Sequence, residues 1–146
     1  MNNVFVNPEK PSSRHSTQDM QSYSPLIKLA KQTMQYAYCK YSNFQVGCAI
    51  LTQNGTIFTG CNVENSSYGA TMCAERTAVF KAVSEGNKDF VAIALVSSND
   101  EFTYPCGMCR QVLSEFNLDL IIVLSKKDQL EVTTLRQLLP HAFISF

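Results

Sequence analysis

Over positions 1–24 apolar residues are scattered among Asn, Ser, Gln, Thr and Pro. Such a stretch buries too little surface to offset its ordering entropy and is expected to form a mobile tail. The pattern changes at Ser24-Pro25, a pair that opens a helix with Ser as N-cap and Pro in the first turn. Leu26, Ile27, Ala30, Met34 and Ala37 then recur at helical spacing and predict one apolar face. Residues 44–52 and 56–61 read as strands joined through Gln53-Asn54-Gly55, a hairpin signal because Asn and Gly accept positive φ. Residues 62–72 are polar and small, hence loop. From Cys73 to about Ser84, the side chains of Ala74, Ala78, Val79 and Ala82 supply the packing face of a second helix, with Gly86 past its end. Residues 90–97 and 118–124 are continuous apolar runs, as in strands covered on both faces. Between them, residues 106–116 read as a third helix. Lys126-Lys127-Asp128 reads as a solvated turn, and residues 133–139 as a closing helix stopped by Pro140. Helices alternating with buried strands after a hairpin predict an α/β domain with helices packed on a mixed sheet, spanning residues 25–146 behind the tail.

Composition narrows the partners. Of the 146 residues, 45% are apolar, enough for a core, and twelve basic and twelve acidic side chains give zero net charge. That balance lacks the electrostatic footprint of a polynucleotide or anionic-membrane binder. The longest apolar runs are strand-sized and far short of a membrane span. Met1 to Val6 has neither the basic region nor the apolar run of a secretory signal, so a reducing, cytoplasmic location is expected, with cysteines as thiols. Of the six cysteines, Cys48 and Cys61 read as packed core thiols, and Cys39 has no motif around it.

The remaining three carry the chemistry. Cys73-Ala74-Glu75 is followed by Pro105-Cys106-Gly107-Met108-Cys109, and three thiolates can hold one zinc ion while leaving its fourth position open, as catalytic rather than structural sites do. Glu75 stands two residues after the first ligand, where a carboxylate can serve a water without binding the metal. Both motifs fall at predicted helix starts, whose unpaired N–H groups and positive dipole end favour thiolate. Three thiolates on one divalent zinc leave a net negative site, and Arg76 is the candidate to balance it by donating to a cysteine sulfur. Other readings stay open on the residues alone. The Cys106/Cys109 pair can be a redox dithiol; the trio can be a closed structural zinc site with Cys61, His15 or His141 as fourth ligand; Glu75 can be an ordinary first-turn carboxylate.

These residues resemble the zinc deaminase signature in its three-cysteine variant, and specifically the cytidine deaminases acting on free nucleosides. The resemblance runs from roughly Pro25 to Phe143. It is carried by Phe44-Gln45-Val46-Gly47, Gly60-Cys61-Asn62-Val63-Glu64-Asn65, Cys73-Ala74-Glu75-Arg76-Thr77-Ala78 and Pro105-Cys106-Gly107-Met108-Cys109-Arg110-Gln111. It implies a three-layer α-β-α fold on a mixed five-stranded sheet, and hydrolysis of cytidine and deoxycytidine to uridine and deoxyuridine with release of ammonia, in pyrimidine salvage. It implies one zinc per subunit on Cys73, Cys106 and Cys109, with Glu75 as proton shuttle. The Ala74 backbone would bind the pyrimidine carbonyl, Phe44 would wall the base, and Asn62 with Glu64 would hold the ribose 3′-hydroxyl. It further implies a homotetramer in which Phe143 stacks near the base of another subunit; Tyr41 and Tyr68 fall where family interface and pocket contacts occur.

Glu64 also bears on substrate size. A carboxylate that accepts from a 3′-hydroxyl repels a phosphodiester there, which favours free nucleosides over nucleic acid. The same fold hosts deaminases of nucleoside antibiotics, which lack the Asn-x-Glu pair, and a zinc-stabilised interaction module without activity is the reading from another class. The long tail and the Tyr68–Met72 loop depart from the compact family pattern.

Overall fold

The structure, a computed structural model, describes residues 17–144. Helix α1 (Thr17–Met34) comes first, then strands β1 (Val46–Thr52) and β2 (Ile57–Cys61). Helix α2 (Ala74–Ser84), strand β3 (Phe90–Ser97), helix α3 (Gly107–Ser114), strands β4 (Ile121–Lys126) and β5 (Gln129–Thr134), and helix α4 (Leu135–Leu138) follow. The five strands form one sheet in the order β2-β1-β3-β4-β5. β3 and β4 run parallel, joined through α3, and the other neighbours are antiparallel.

Side-chain alternation along the buried strands divides the core into two faces. Cys48 and Ile50 of β1, Ile93 and Leu95 of β3, and Ile122 and Leu124 of β4 pack with Ala78, Val79, Leu113 and Leu135 of the three later helices. Ala49, Ala92, Ala94 and Val123 point the other way, onto Leu26, Ile27 and Ala30 of α1. This is the expected three-layer α-β-α arrangement on a mixed sheet.

Strand β4 runs from Ile121 to Lys126 rather than over residues 118–124, and two larger differences from the sequence reading have a cause in the packing. Helix α1 begins at Thr17 and carries Pro25 inside it, so residues 17–24 are helical rather than tail; the first sixteen residues lie outside the described ones. An interior proline removes one backbone donor and crowds the preceding turn. Tyr23, one turn before Ile27, packs on the same apolar cluster, so tertiary burial supports helix on both sides of the proline. The second difference is β5. The closing helix expected over residues 133–139 is four residues long, because Thr133 and Thr134 still pair with Ile122 and Ile121 of β4. Thr134 then caps α4 in a reciprocal capping box with Gln137.

The start of β1 and the ends of β2 and β3 gather the segments that matter at one end of the sheet. Val46, at the start of β1, pairs with Ser97, at the end of β3, and Gly47 pairs with Cys61, at the end of β2. The chain enters α2 and α3 from these same ends of β2 and β3. A Cβ on Gly60 would lie 2.4 Å from the Ala74 carbonyl oxygen and 2.5 Å from the Ala78 nitrogen. The missing side chain is what lets the first turn of α2 rest directly on β2.

Candidate functional site

Cys73 and Cys106 are the N-cap residues of α2 and α3, both in extended backbone. Cys109 lies in the first turn of α3 and is fully buried. The three sulfurs lie within 4.8 Å of one another, and Cys73 Sγ is 3.8 Å from Cys106 Sγ. A tetrahedral zinc with Zn–S bonds of about 2.3 Å needs sulfurs about 3.8 Å apart, so the donor set and its spacing fit zinc. Among the described residues neither Cys61 nor His141 joins the cluster, and His15 lies outside the described residues. Among the described residues the closed four-ligand alternative therefore finds no fourth ligand.

Arg76 stands where the charge argument put it. Its Nη2 donates to Cys73 Sγ at 3.5 Å and to the Thr71 carbonyl at 3.3 Å, while its Nε is buried with no partner. Donation from Cys109, then from Arg76 and Cys106, lowers the Cys73 thiol to about 5. Cys109 moves the other way, because it donates to Cys73 and is buried. The cluster thus already favours an anion on one sulfur.

Glu75 follows in the first turn of α2 and is only 5% exposed. Burial raises its carboxyl to about 7, with the negative Cys73 sulfur adding to the effect against donation from backbone N–H. A carboxyl poised near neutrality beside a thiolate cluster can both take and return a proton. Ala74, between Cys73 and Glu75, is fully buried, and first-turn amides such as its own have no acceptor within the helix.

Asn62 is buried, and its side chain binds one stretch of backbone at two points: Oδ1 accepts from the Val46 amide at 2.8 Å and Nδ2 donates to the Phe44 carbonyl at 2.8 Å. An amide group keeps one N–H and one lone pair after two such bonds. Glu64 Oε2 accepts from the Tyr41 and Ser42 amides at 2.9 and 3.2 Å, and Oε1 accepts from the Ser42 hydroxyl. Glu64 lies on a cavity of about 350 Å³ also lined by Tyr41, Ser42, Asn65, Tyr68 and Thr71. Thr71 joins this cavity to the sulfur cluster, since its carbonyl receives Arg76. Phe44, Asn62, Glu75 and the cysteines do not line it. Phe143 is 62% exposed, and its carbonyl accepts from Gln111 Nε2 on α3 at 2.6 Å.

The sequence reading missed three supports. Ser42 bonds to Glu64, Thr71 receives Arg76, and Arg110 clamps two segments by donating to the Pro105 carbonyl through Nε and to the Leu138 carbonyl through Nη1, both at 2.8 Å. Arg110 lies inside a quoted motif and Ser42 two residues before another, yet nothing in spacing alone says which groups they reach.

Comparison with known proteins agrees with this geometry. The model of the cytidine and deoxycytidylate deaminase zinc-binding region matches residues 20–125. A cytidine deaminase from Sporosarcina psychrophila is 49% identical over 120 residues, covering 81% of this chain and 88% of its own. A probable cytidine deaminase from Dictyostelium discoideum is 51% identical over 119 residues, 80% of each chain. The crystal structure of cytidine deaminase from Burkholderia pseudomallei superposes with a TM-score of 0.80 at 46% identity, over 83% of this chain and 98% of that one. With three sulfurs spaced for zinc at the N-termini of α2 and α3, and likeness over most of its length, the chain belongs to the zinc-binding cytidine and deoxycytidylate deaminase family.

Proposed function

We propose that the protein catalyses the zinc-dependent hydrolytic deamination of free cytidine and deoxycytidine to uridine and deoxyuridine, releasing ammonia. The observation that carries this reading is a buried carboxyl, Glu75, two residues after a cysteine whose sulfur belongs to a zinc-spaced cluster. Cys73, Cys106 and Cys109 are the residues that would hold the ion. Zinc held there supplies Lewis acidity, which brings the pKa of a water toward neutrality. Glu75 takes a proton from that water and delivers it to N3 of the cytosine ring. As the oxygen of the deprotonated water bonds to C4, a hydroxyl forms there. Glu75 takes its proton and passes it to the amine, so the C4–N bond breaks, ammonia leaves, the C4 carbonyl forms and one carboxylate serves both proton transfers. The Ala74 amide donates to the pyrimidine carbonyl, Phe44 walls the base, and Asn62 and Glu64 hold the 3′-hydroxyl.

The test is loss of cytidine ultraviolet absorbance with zinc-loaded protein, run beside a cytosine-bearing nucleoside antibiotic. Turnover of cytidine supports the reading; turnover of the antibiotic alone moves the protein to the antibiotic deaminases. Zinc bound with no turnover of either leaves the interaction module.

A homotetramer, a cytoplasmic location and a role in pyrimidine salvage belong to the same proposal. Association is supported by exposed Tyr36, Tyr68, Met108 and Phe143, with Phe143 offered to a neighbouring subunit's base. The location is supported by six free cysteines. No helix among the described residues is long and apolar enough to cross a membrane.

Two substitutions probe the supporting residues. Arg76→Gln removes the donor on Cys73, and groups that donate to metal ligands typically contribute about 10–100-fold in affinity. Faster zinc release to a chelator and a higher pH optimum are expected; unchanged release and profile would remove Arg76 from charge balance. Glu64→Ala deletes an ionised acceptor, and a hydrogen bond to a charged group is worth about 1.5–3 kcal/mol. KM for cytidine should rise about tenfold or more, and an unchanged KM would dismiss the sugar site.

A further inference from the structure

The family pattern accounts for Glu64 but leaves open what holds its carboxylate. Ser42 is exposed and polar, and its single hydroxyl makes two contacts. It donates to Glu64 Oε1 and accepts from the Phe44 amide at 3.0 Å. Glu64 Oε2 is meanwhile taken by the Tyr41 and Ser42 amides. An ionised carboxylate offers about four acceptor sites, so these three bonds leave one, on Oε1. The Ser42 hydroxyl therefore decides which side of Oε1 is left for an incoming donor. Asn62 acts from the other side of the same segment, binding the Phe44 carbonyl and the Val46 amide. Residues 41–46 are in this way stitched to residues 62–64, and the Ser42 side chain touches both the carboxylate and the backbone of Phe44.

We propose that Ser42 is a positioning residue for the sugar end of the substrate: it orients the one free acceptor of Glu64 toward the nucleoside 3′-hydroxyl. The proposal rests on the reading of Glu64 as the sugar acceptor. Donation from the Ser42 hydroxyl is also the main reason the Glu64 carboxyl lies below the usual carboxylate range, ahead of the Tyr41 and Ser42 amides. Glu64 is thereby kept as an acceptor only, suited to a hydroxyl and hostile to a phosphate.

The experiment compares zinc-loaded wild type, Ser42→Ala, Ser42→Thr and Glu64→Ala on deoxycytidine and on 2′,3′-dideoxycytidine, which lacks the 3′-hydroxyl. Ser42→Ala should raise KM for deoxycytidine about tenfold, with kcat within about twofold and zinc content unchanged. Ser42→Thr, which keeps a hydroxyl, should restore KM. On 2′,3′-dideoxycytidine, wild type and Ser42→Ala should have the same KM. A wild-type KM for Ser42→Ala on deoxycytidine, with the loss still seen in Glu64→Ala, would overturn the role of Ser42 and leave the sugar site standing. A wild-type KM for Glu64→Ala as well would overturn the sugar site and the proposal with it. An equal rise on both nucleosides would show that Ser42 acts on the fold rather than through Glu64.

Discussion

Glu75→Ala is expected to leave a folded, zinc-loaded protein whose cytidine turnover is lower by about 10²–10⁴-fold, the usual contribution of a positioned general acid–base group. The loss of activity should not be matched by a loss of stability. Glu75 is 5% exposed and its carboxyl is raised to about 7 by burial, so the fold is holding an acid that water would hold better. A folded pKa above the unfolded one means the native state binds the proton more tightly. Whatever stability this contributes is complete below the unfolded value and disappears as pH rises through about 7. In zinc-free protein, Glu75→Ala should therefore melt higher relative to wild type at pH 8 than at pH 5. Melting curves, zinc content and the absorbance assay on one preparation check all three statements. Wild-type turnover in Glu75→Ala would end the proton-shuttle reading.

Gly60→Ala should damage both the fold and the metal centre through one contact. The added methyl would stand 2.4 Å and 2.5 Å from backbone atoms of Ala74 and Ala78, and backbone in a packed helix cannot rotate aside as a flexible side chain does. Overpacking of this kind costs about 1–3 kcal/mol, which for a chain of this size lowers the melting temperature by roughly 3–12 °C. Because Cys73 and Glu75 belong to the displaced turn, zinc should also leave faster and turnover should fall. Gly69→Ala is the control: nothing lies within 4 Å of its added methyl. Equal melting temperatures for the two variants would show that α2 does not depend on this close approach.

Most of the sheet was legible because buried strands and amphipathic helices impose different periods on the same residues. The hairpin at Asn54-Gly55 and the end of α2 at Gly86 were legible because both glycines need positive φ, 86° and 84°. β5 was not, because only Leu130 and Val132 face the α1 side of the core. Its turn also passes through Lys127 at φ 49°, without the Asn-Gly signal that announced the first hairpin. The start of α1 was misplaced because proline chemistry is local, whereas the packing of Tyr23 that keeps the helix going is not. At the site, the sulfur cluster of Cys73, Cys106 and Cys109 could be anticipated from spacing, because a cysteine and a Cys-x-x-Cys pair at two helix starts bring three sulfurs to one place. The partners of Asn62 and Glu64 were hidden because they are backbone groups of residues 41–46, which carry no side-chain signature.

The Arg110 clamp sets a practical boundary for anyone handling the protein. One guanidinium grips the carbonyl just ahead of Cys106 and the carbonyl at the end of α4, and Gln111 beside it grips Phe143. Load applied beyond Phe143 is thus delivered to the segment that carries Cys106 of the sulfur cluster. A purification handle, fluorophore or surface anchor attached beyond Phe143 should therefore be detectable as altered metal occupancy before it is detectable as unfolding.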